Sequence, residues 1–444
     1  MSEFDVIVVG TGVAGQTATE VLGTAGKRVA VVDRRAFGGT CALRGCEPKK
    51  VLVAAAEAVE RATSQAGNGV AGTVSVDWPA LIAFKRTFTD GLSASIERTL
   101  VDSGATPLHG SARFLSPDTV EVDGVAHSAD HFVLATGALP IPLGIPGQES
   151  VWDSEQFMAS ETLGRRVVFI GGGYISFEFA HIAAAAGARV TILQRGAHVL
   201  IEFDADLAAM LARSYREAGI DVRVDAPVSA VRRRGDVLEV ALGDGTNVVC
   251  DTVVHGAGRA ADLAGLDLEA GEVAYGRRGI EVGPSMRSVT NPRVYAAGDA
   301  AALGVPLTPV GIAQARIAAA NILEPGSAVF APKAVPSVVF SNPPLASVGV
   351  TEAQANADGL DVEVKFTDTS GWVSSRRVGV RISGAKTIVE RGSGRIVGAH
   401  VLGHAAEEVV NVFATAMMGG LTAEDLRSAI WSYPTDGYNV AYLL

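Results

Sequence analysis

Apolar residues in the first part of the chain come as short unbroken runs. "FDVIVVG" and "RVAVVD" bracket a stretch rich in small residues, a pattern that predicts strand, helix, strand across residues 4–33. The same plan returns at residues 167–195, "VVFIGGGYISFEFAHIAAAAGARVTILQR". Each unit is followed by alternating apolar and polar positions broken by Gly/Asp turns, at 107–134 and 220–255, which predict a meander of short strands. Each meander ends in an apolar strand entering a glycine turn, "HFVLATGALP" and "TVVHGAGRAA". A duplicated two-dinucleotide architecture is the economical explanation.

The chemistry lies between strand and helix. Gly10, Gly12 and Gly15 have the G-x-G-x-x-G spacing. The first permits a sharp turn, the second lets a pyrophosphate approach the backbone, and the third lets helix and strand pack closely. The helix start offers free N–H groups to phosphates. Asp33, at the end of the second strand, suits a ribose diol. In the second unit Gly171 and Gly173 are followed by Ser176, which predicts slightly looser packing. Gln194 stands 23 positions after Gly171, as Asp33 stands 23 after Gly10, and Arg195 follows it. A carboxylate there would repel a 2′-phosphate, whereas an amide beside an arginine tolerates one. The first site is therefore read as binding FAD and the second NADPH rather than NADH.

Composition changes the picture by exclusion. The 444 residues carry a net charge of −11, which argues against nucleic acid and anionic membranes as partners. No apolar run is long enough for a membrane span, no leader pattern precedes the first strand, and a cytoplasmic location is expected. Three cysteines are too few for a secreted disulfide scaffold. Cys41 and Cys46 flank a four-residue spacer before a helical stretch, "EPKKVLVAAAEAVERA". A helix amino terminus and adjacent lysines stabilise a thiolate, so the pair reads as redox-active, with a structural disulfide as the alternative. No metal site is expected. Cys250, within an apolar strand pattern, reads as core.

With these motifs in place, the chain resembles the class I pyridine nucleotide-disulfide oxidoreductases, which include glutathione reductase, dihydrolipoamide dehydrogenase and mercuric reductase. The resemblance spans nearly the whole chain. It rests on "GGTCALRGCEPKKVL", "ATGALPIPLGIPG", "NPRVYAAGDAA" with "PLTPVGIAQAR", and the stretches "VPSVVFSNPPLASVGVTEAQA" and "GHAAEEVVN". It implies an α/β fold with two Rossmann-like dinucleotide-binding domains of the three-layer ββα type and a C-terminal α+β dimerisation domain. The corresponding division is 1–150 and 271–330 for FAD, 151–270 for NAD(P)H and 331–444 for dimerisation. A homodimer sharing its active site across the interface follows. By position, Cys46 is the flavin-facing sulfur and Cys41 the one that meets the acceptor. Lys49 sits near the flavin and pairs with Glu178, Lys50 being the alternative, and Tyr174 covers the flavin until nicotinamide displaces it. Gly39, Thr40, Ala112, Thr136, Gly137, Asp299 and Thr308 fall to FAD, with Asp299 holding the ribityl chain, and Gly258 falls to the cofactor sites as well.

One departure stands out. The family's disulfide reductases end in H-P-T-x-x-E from the partner subunit, where this chain has Tyr433, Pro434, Thr435, Asp436, Gly437 and Tyr438. No histidine follows His404, which is read as structural. Histidine exchanges protons near neutral pH and tyrosine does not, so the loss bears on ~10²–10⁴-fold of turnover. Asp436 reads as a turn cap rather than a replacement base. The favoured acceptor is a small-molecule or protein disulfide. A soft metal ion stays open because mercuric reductases place tyrosine here, although the vicinal cysteines that finish those enzymes are not found in "AYLL". Quinone or oxygen reduction, and electron transfer to a protein partner, also stay open.

Overall fold

A computed structural model describes residues 2–444. The chain divides into two compact units, one of residues 1–50, 83–141 and 259–331, the other of 51–82, 142–258 and 332–444.

In the first unit a parallel sheet runs in the order Ala105–His109, Val29–Asp33, Phe4–Val9, Val125–Leu134, with Val294–Ala296 pairing onto the last. Val6 to Val9 and Val29 to Val32 are all buried, as the unbroken apolar runs require of strands covered on both faces. Val125–Leu134 is longer than its neighbours, and its first half turns antiparallel with Thr119–Val122, which pairs Ala112–Ser116. The expected meander is thus these three strands. The stretch from 105 to 109 instead joins the parallel sheet beside Val29–Asp33, where its register partners Val29 to Val32 are buried and apolar.

The second unit repeats the plan. Its parallel sheet has the order Asp221–Arg223, Arg189–Leu193, Arg166–Ile170, Thr252–His255. Alternate residues of Arg166–Ile170 divide between two cores. Val167 and Phe169 pack with Phe177, Ala180 and Ala183 of the helix Tyr174–Ala185, while Val168 and Ile170 pack with Val231, Leu238 and Val240 of the meander Val228–Cys250. Meander, parallel sheet and helix therefore form three layers, as expected. Cys250 is fully buried, and burial pushes its thiol up to about 12.

The same unit holds a five-stranded antiparallel sheet, ordered Ser337–Val339, Leu345–Gly349, Ile396–Leu402, Gly384–Glu390, Val362–Asp368, against which the helix Ala406–Gly419 packs. Its registers align Ser347, His400 and Lys386 in one row. Lys386 is buried, and its ammonium meets Asp204 at 3.0 Å and Glu352 at 2.7 Å, together with Asp206. Asp204 is itself buried and caps the helix Ala205–Glu217. Removing only the cation strands a buried carboxylate, so Lys386→Met should cost about 3–5 kcal/mol in a denaturant titration. A loss below about 1 kcal/mol would show the cluster to be solvated.

Candidate active site

In the first unit the glycine turn and the cysteine segment are built onto one another. Gly10 has φ +104°, and a Cβ there would lie 2.3 Å from the Ala135 carbonyl. Only glycine combines that backbone with that approach. A Cβ on Gly15 would fall 1.8 Å from the Gly10 carbonyl, so helix and strand pack as closely as the spacing implied. Gly12, by contrast, begins the helix Val13–Thr24 facing open space, where a Cβ would meet nothing nearer than Gly39 Cα at 4.0 Å. The Asp33 carboxylate accepts from the Thr11 amide at 2.9 Å and the Thr11 hydroxyl at 2.6 Å, holding the turn. The Thr11 hydroxyl accepts from the Gly38 amide at 3.0 Å, and Gly39, at φ +67°, packs on Gly12 without room for a side chain.

That contact sets the short helix Gly39–Arg44, which holds Thr40 and Cys41, beside the turn. Cys46 then opens the 19-residue helix Cys46–Ser64, with Lys49 and Lys50 in its first turn. Both sulfurs are free thiols. The hydrogen-bonding interaction with Cys46, then burial and the neighbouring Cys46 charge, hold the Cys41 thiol far above its ordinary range. The Thr308 hydroxyl, at the start of the helix Thr308–Leu323, works against this shift. It donates to Cys41 Sγ at 3.3 Å and lies 3.9 Å from Cys46 Sγ. The sequence assigned Thr308 to the flavin; its contact with both sulfurs was visible only in the fold.

Two polar groups of this unit suit a bound flavin. Thr136 Oγ1 is buried without a hydrogen-bond partner, beside Gly137 at φ +75°. Asp299 is largely enclosed, and burial raises its carboxyl while Arg259 opposes the shift. An enclosed carboxylate and an orphaned hydroxyl, with an open helix start at Gly12, fit the hydroxyls and phosphates of FAD. Ala112 lies in the meander, nearly buried.

In the second unit Gly171 has φ +105°, and a Cβ there would lie 2.4 Å from the Gly256 carbonyl. Gly173 begins the helix Tyr174–Ala185. The looser packing expected at Ser176 is not found. Ser176 is fully buried, and the chain accommodates its hydroxyl by having Gly256 opposite, where a Cβ would sit 2.0 Å from Oγ. The Gln194 amide does the work of Asp33 with no charge. Its Oε1 accepts from the Gly172 amide at 2.9 Å and its Nε2 donates to the His198 carbonyl at 2.9 Å, leaving Arg195 exposed beside it. Tyr174 presents a half-exposed ring at the helix start, and Gly258, at φ +115°, follows the strand Thr252–His255. Glu178 is buried and accepts from the Phe340 amide at 2.9 Å.

Tyr433 is 76% exposed. The cap expected of Asp436 is not formed. Its carboxylate accepts instead from Arg377 at 3.1 Å and from His404 Nδ1 at 3.0 Å. Arg61 faces His404 Nε2 at 3.2 Å, and because a guanidinium only donates, the ring proton lies on Nδ1. Asp436 is thus an anchor of the turn and His404 is committed on both nitrogens. Among the described residues no helix is long and apolar enough to cross a membrane, and no group of three or more His, Cys, Asp or Glu side chains is placed to hold a metal ion.

Comparison with known proteins agrees with this geometry. Residues 4–319 match the family described as pyridine nucleotide-disulphide oxidoreductase, and residues 335–440 match its dimerisation domain. The chain is 32% identical over 437 residues to a glutathione reductase of Burkholderia cepacia, covering 98% of this chain and 96% of that one. It is 33% identical over 448 residues to a mercuric reductase of Streptomyces lividans, covering 97% and 94%. Among solved structures, a Cu(II) complex of the HOCl-induced flavoprotein disulfide reductase RclA from Escherichia coli superimposes with a TM-score of 0.90 at 26% identity, covering 100% and 99%. Two open glycine turns and a thiol pair joined to the first of them are what such a flavoenzyme needs, and the chain belongs to the pyridine nucleotide-disulphide oxidoreductase family, whose FAD-dependent chemistry it shares.

Proposed function

We propose that the protein is an NADPH-dependent reductase that passes electrons through the Cys41–Cys46 pair to a disulfide whose thiols leave readily as thiolates. The observation that carries this reading is the sulfur pair itself, with the Thr308 hydroxyl donating to Cys41 at 3.3 Å and lying 3.9 Å from Cys46. When bound, FAD and the nicotinamide coenzyme supply two electrons to that pair. FAD is assigned to residues 1–150 and 271–330, the coenzyme to 151–270 and dimerisation to 331–444, with Lys49 near the flavin, Tyr174 over it and Tyr433 supplied by the partner subunit of a homodimer.

On this reading Cys46 is the sulfur that carries negative charge in the dithiol, because it begins a long helix, while Cys41, its thiol held above the ordinary range, keeps its proton. Cys46 takes that proton as Cys41 attacks the acceptor disulfide, forming a mixed disulfide and expelling one thiolate. The Cys46 sulfur, its proton lost to water, then attacks Cys41 Sγ and expels the second thiolate, leaving the Cys41–Cys46 disulfide. Neither departing sulfur receives a proton from an imidazole, so acceptors with low-pKa thiols are favoured. A thiophilic metal ion is the second reading, supported by the exposed Tyr433 phenol and by the likeness to a protein solved as a Cu(II) complex.

For the coenzyme, the uncharged Gln194 and exposed Arg195 support NADPH. Steady-state kinetics should favour NADPH over NADH, and Arg195→Leu should lower kcat/KM for NADPH by about 10- to 100-fold while sparing NADH. Equal efficiency with both coenzymes in the wild type would refute the assignment. Anaerobic two-electron reduction should produce a long-wavelength thiolate-to-flavin absorbance band that Cys46→Ser abolishes and Cys41→Ser retains. The opposite pattern would reverse the roles of the two sulfurs. In a panel of glutathione disulfide, aromatic disulfides, mercuric and cupric ions, quinones and oxygen, aromatic disulfides should turn over fastest. Tyr433→His should raise glutathione disulfide turnover by about 10-fold or more. Turnover confined to metal ions would establish the second reading instead.

A further inference from the structure

The place where the family carries a glutamate beside its histidine is taken here by Tyr438, and its surroundings give it a task of its own. Its ring packs edge-on against Tyr433, with centroids 4.9 Å apart and planes at 71°. Its hydroxyl is not turned to Tyr433. It lies 2.9 Å from the Tyr442 hydroxyl, one turn further along, and those two rings are 5.4 Å apart. Among the described residues the Tyr433 hydroxyl has no hydrogen-bond partner. Tyr442 in turn meets the Trp372 ring edge-on at 6.5 Å.

The backbone beneath this ladder is held independently. Thr435 Oγ1 donates to the Ser432 carbonyl at 2.7 Å and accepts from the Tyr438 amide at 3.2 Å. Asp436 is tied to Arg377 and His404 as described. The turn therefore keeps its path without the aromatic contacts, and what those contacts determine is the direction of the Tyr433 ring. A ring 76% exposed has no core to hold it, and without a packed neighbour it would sample its rotamers freely.

We propose that Tyr438 is a positioning residue for the acceptor half-reaction. Its ring sets the orientation of Tyr433, and the phenol–phenol bond to Tyr442 sets the rotation of Tyr438. The device differs from a histidine–carboxylate pair. A carboxylate orients its partner by accepting a hydrogen bond from it and tuning its basicity, whereas an aromatic edge orients by shape and takes no hydrogen bond from the Tyr433 hydroxyl. The inference rests on the reading that Tyr433 faces the acceptor.

The test uses the dimeric holoenzyme with an aromatic disulfide and, separately, cupric ion as acceptors. Flavin reduction by NADPH is followed by stopped flow as a readout of the other half-reaction. Tyr438→Ala should lower kcat/KM for the acceptor by about 10-fold or more, approaching the level of Tyr433→Phe, with flavin reduction unchanged. Tyr438→Phe, which keeps the ring and loses only the phenol bond, should stay within about 3-fold of the wild type. Unchanged acceptor turnover in Tyr438→Ala, with Tyr433→Phe impaired, would overturn the positioning role alone. If Tyr433→Phe is itself unimpaired, the reading of Tyr433 fails and the inference falls with it. Equal loss in Tyr438→Ala and Tyr438→Phe would overturn the ring-packing argument and make the phenol the acting group. Loss of flavin reduction or of the dimer in Tyr438→Ala would show a structural role in place of the proposed one.

Discussion

Everything in the first unit depends on how closely a strand, a turn and a helix approach at Gly10, Gly12 and Gly15. Two of these glycines are needed because another backbone lies where a Cβ would go, and the third because nothing does. The close contacts bring the helix start to the end of the sheet, and the open one leaves its amides for a pyrophosphate. The same approach then places the sulfurs, since Gly39 rests on Gly12 and Gly38 donates to Thr11. Cofactor turn and redox pair are one construction, and displacing either would displace the other.

The electrostatics of the sulfur pair follow from that placement. Cys41 is half-buried and its thiol is held above the ordinary range, whereas Cys46 begins a long helix, where the aligned peptide dipoles favour a negative charge. Thr308 donates to Cys41 from the start of another helix and only partly opposes that upward shift. On the proposed reading Cys46 is itself the base for the first proton transfer, and Tyr433 stands where the resemblance implies an imidazole.

The carboxyl-terminal turn shows how a family position is refilled when its residue changes. If Tyr433 and Tyr438 occupy the places that the resemblance gives to histidine and glutamate, the turn has neither a titrating imidazole nor the carboxylate that would orient it. Ring packing and a phenol pair provide the proposed orientation, and Asp436, expected to cap the turn, is instead drawn to Arg377 and His404 to brace it. Carboxylate, imidazole and guanidinium there form an anchoring chain.

Much was legible before any coordinates. The repeated strand–glycine–helix plan, the 23-residue offset that pairs Asp33 with Gln194, the cysteine spacing and the missing histidine are all local patterns, and local patterns are dictated by backbone sterics and side-chain type. Contacts set by distant segments were not legible. Ser176 was expected to loosen its packing, yet Gly256, 80 residues away, makes the room it needs. Thr308 reaches sulfurs more than 260 residues distant, and Lys386 gathers carboxylates from two separate helices. Asp436 follows a proline and threonine and looks like a cap, but Arg377, at the end of the short helix Val373–Arg376, outcompetes the local amides. The residues themselves determine which turns, strands and redox groups the chain contains. Only the folded chain decides which of those groups share a proton, because that depends on angstrom-scale distances between segments that sequence order does not bring together.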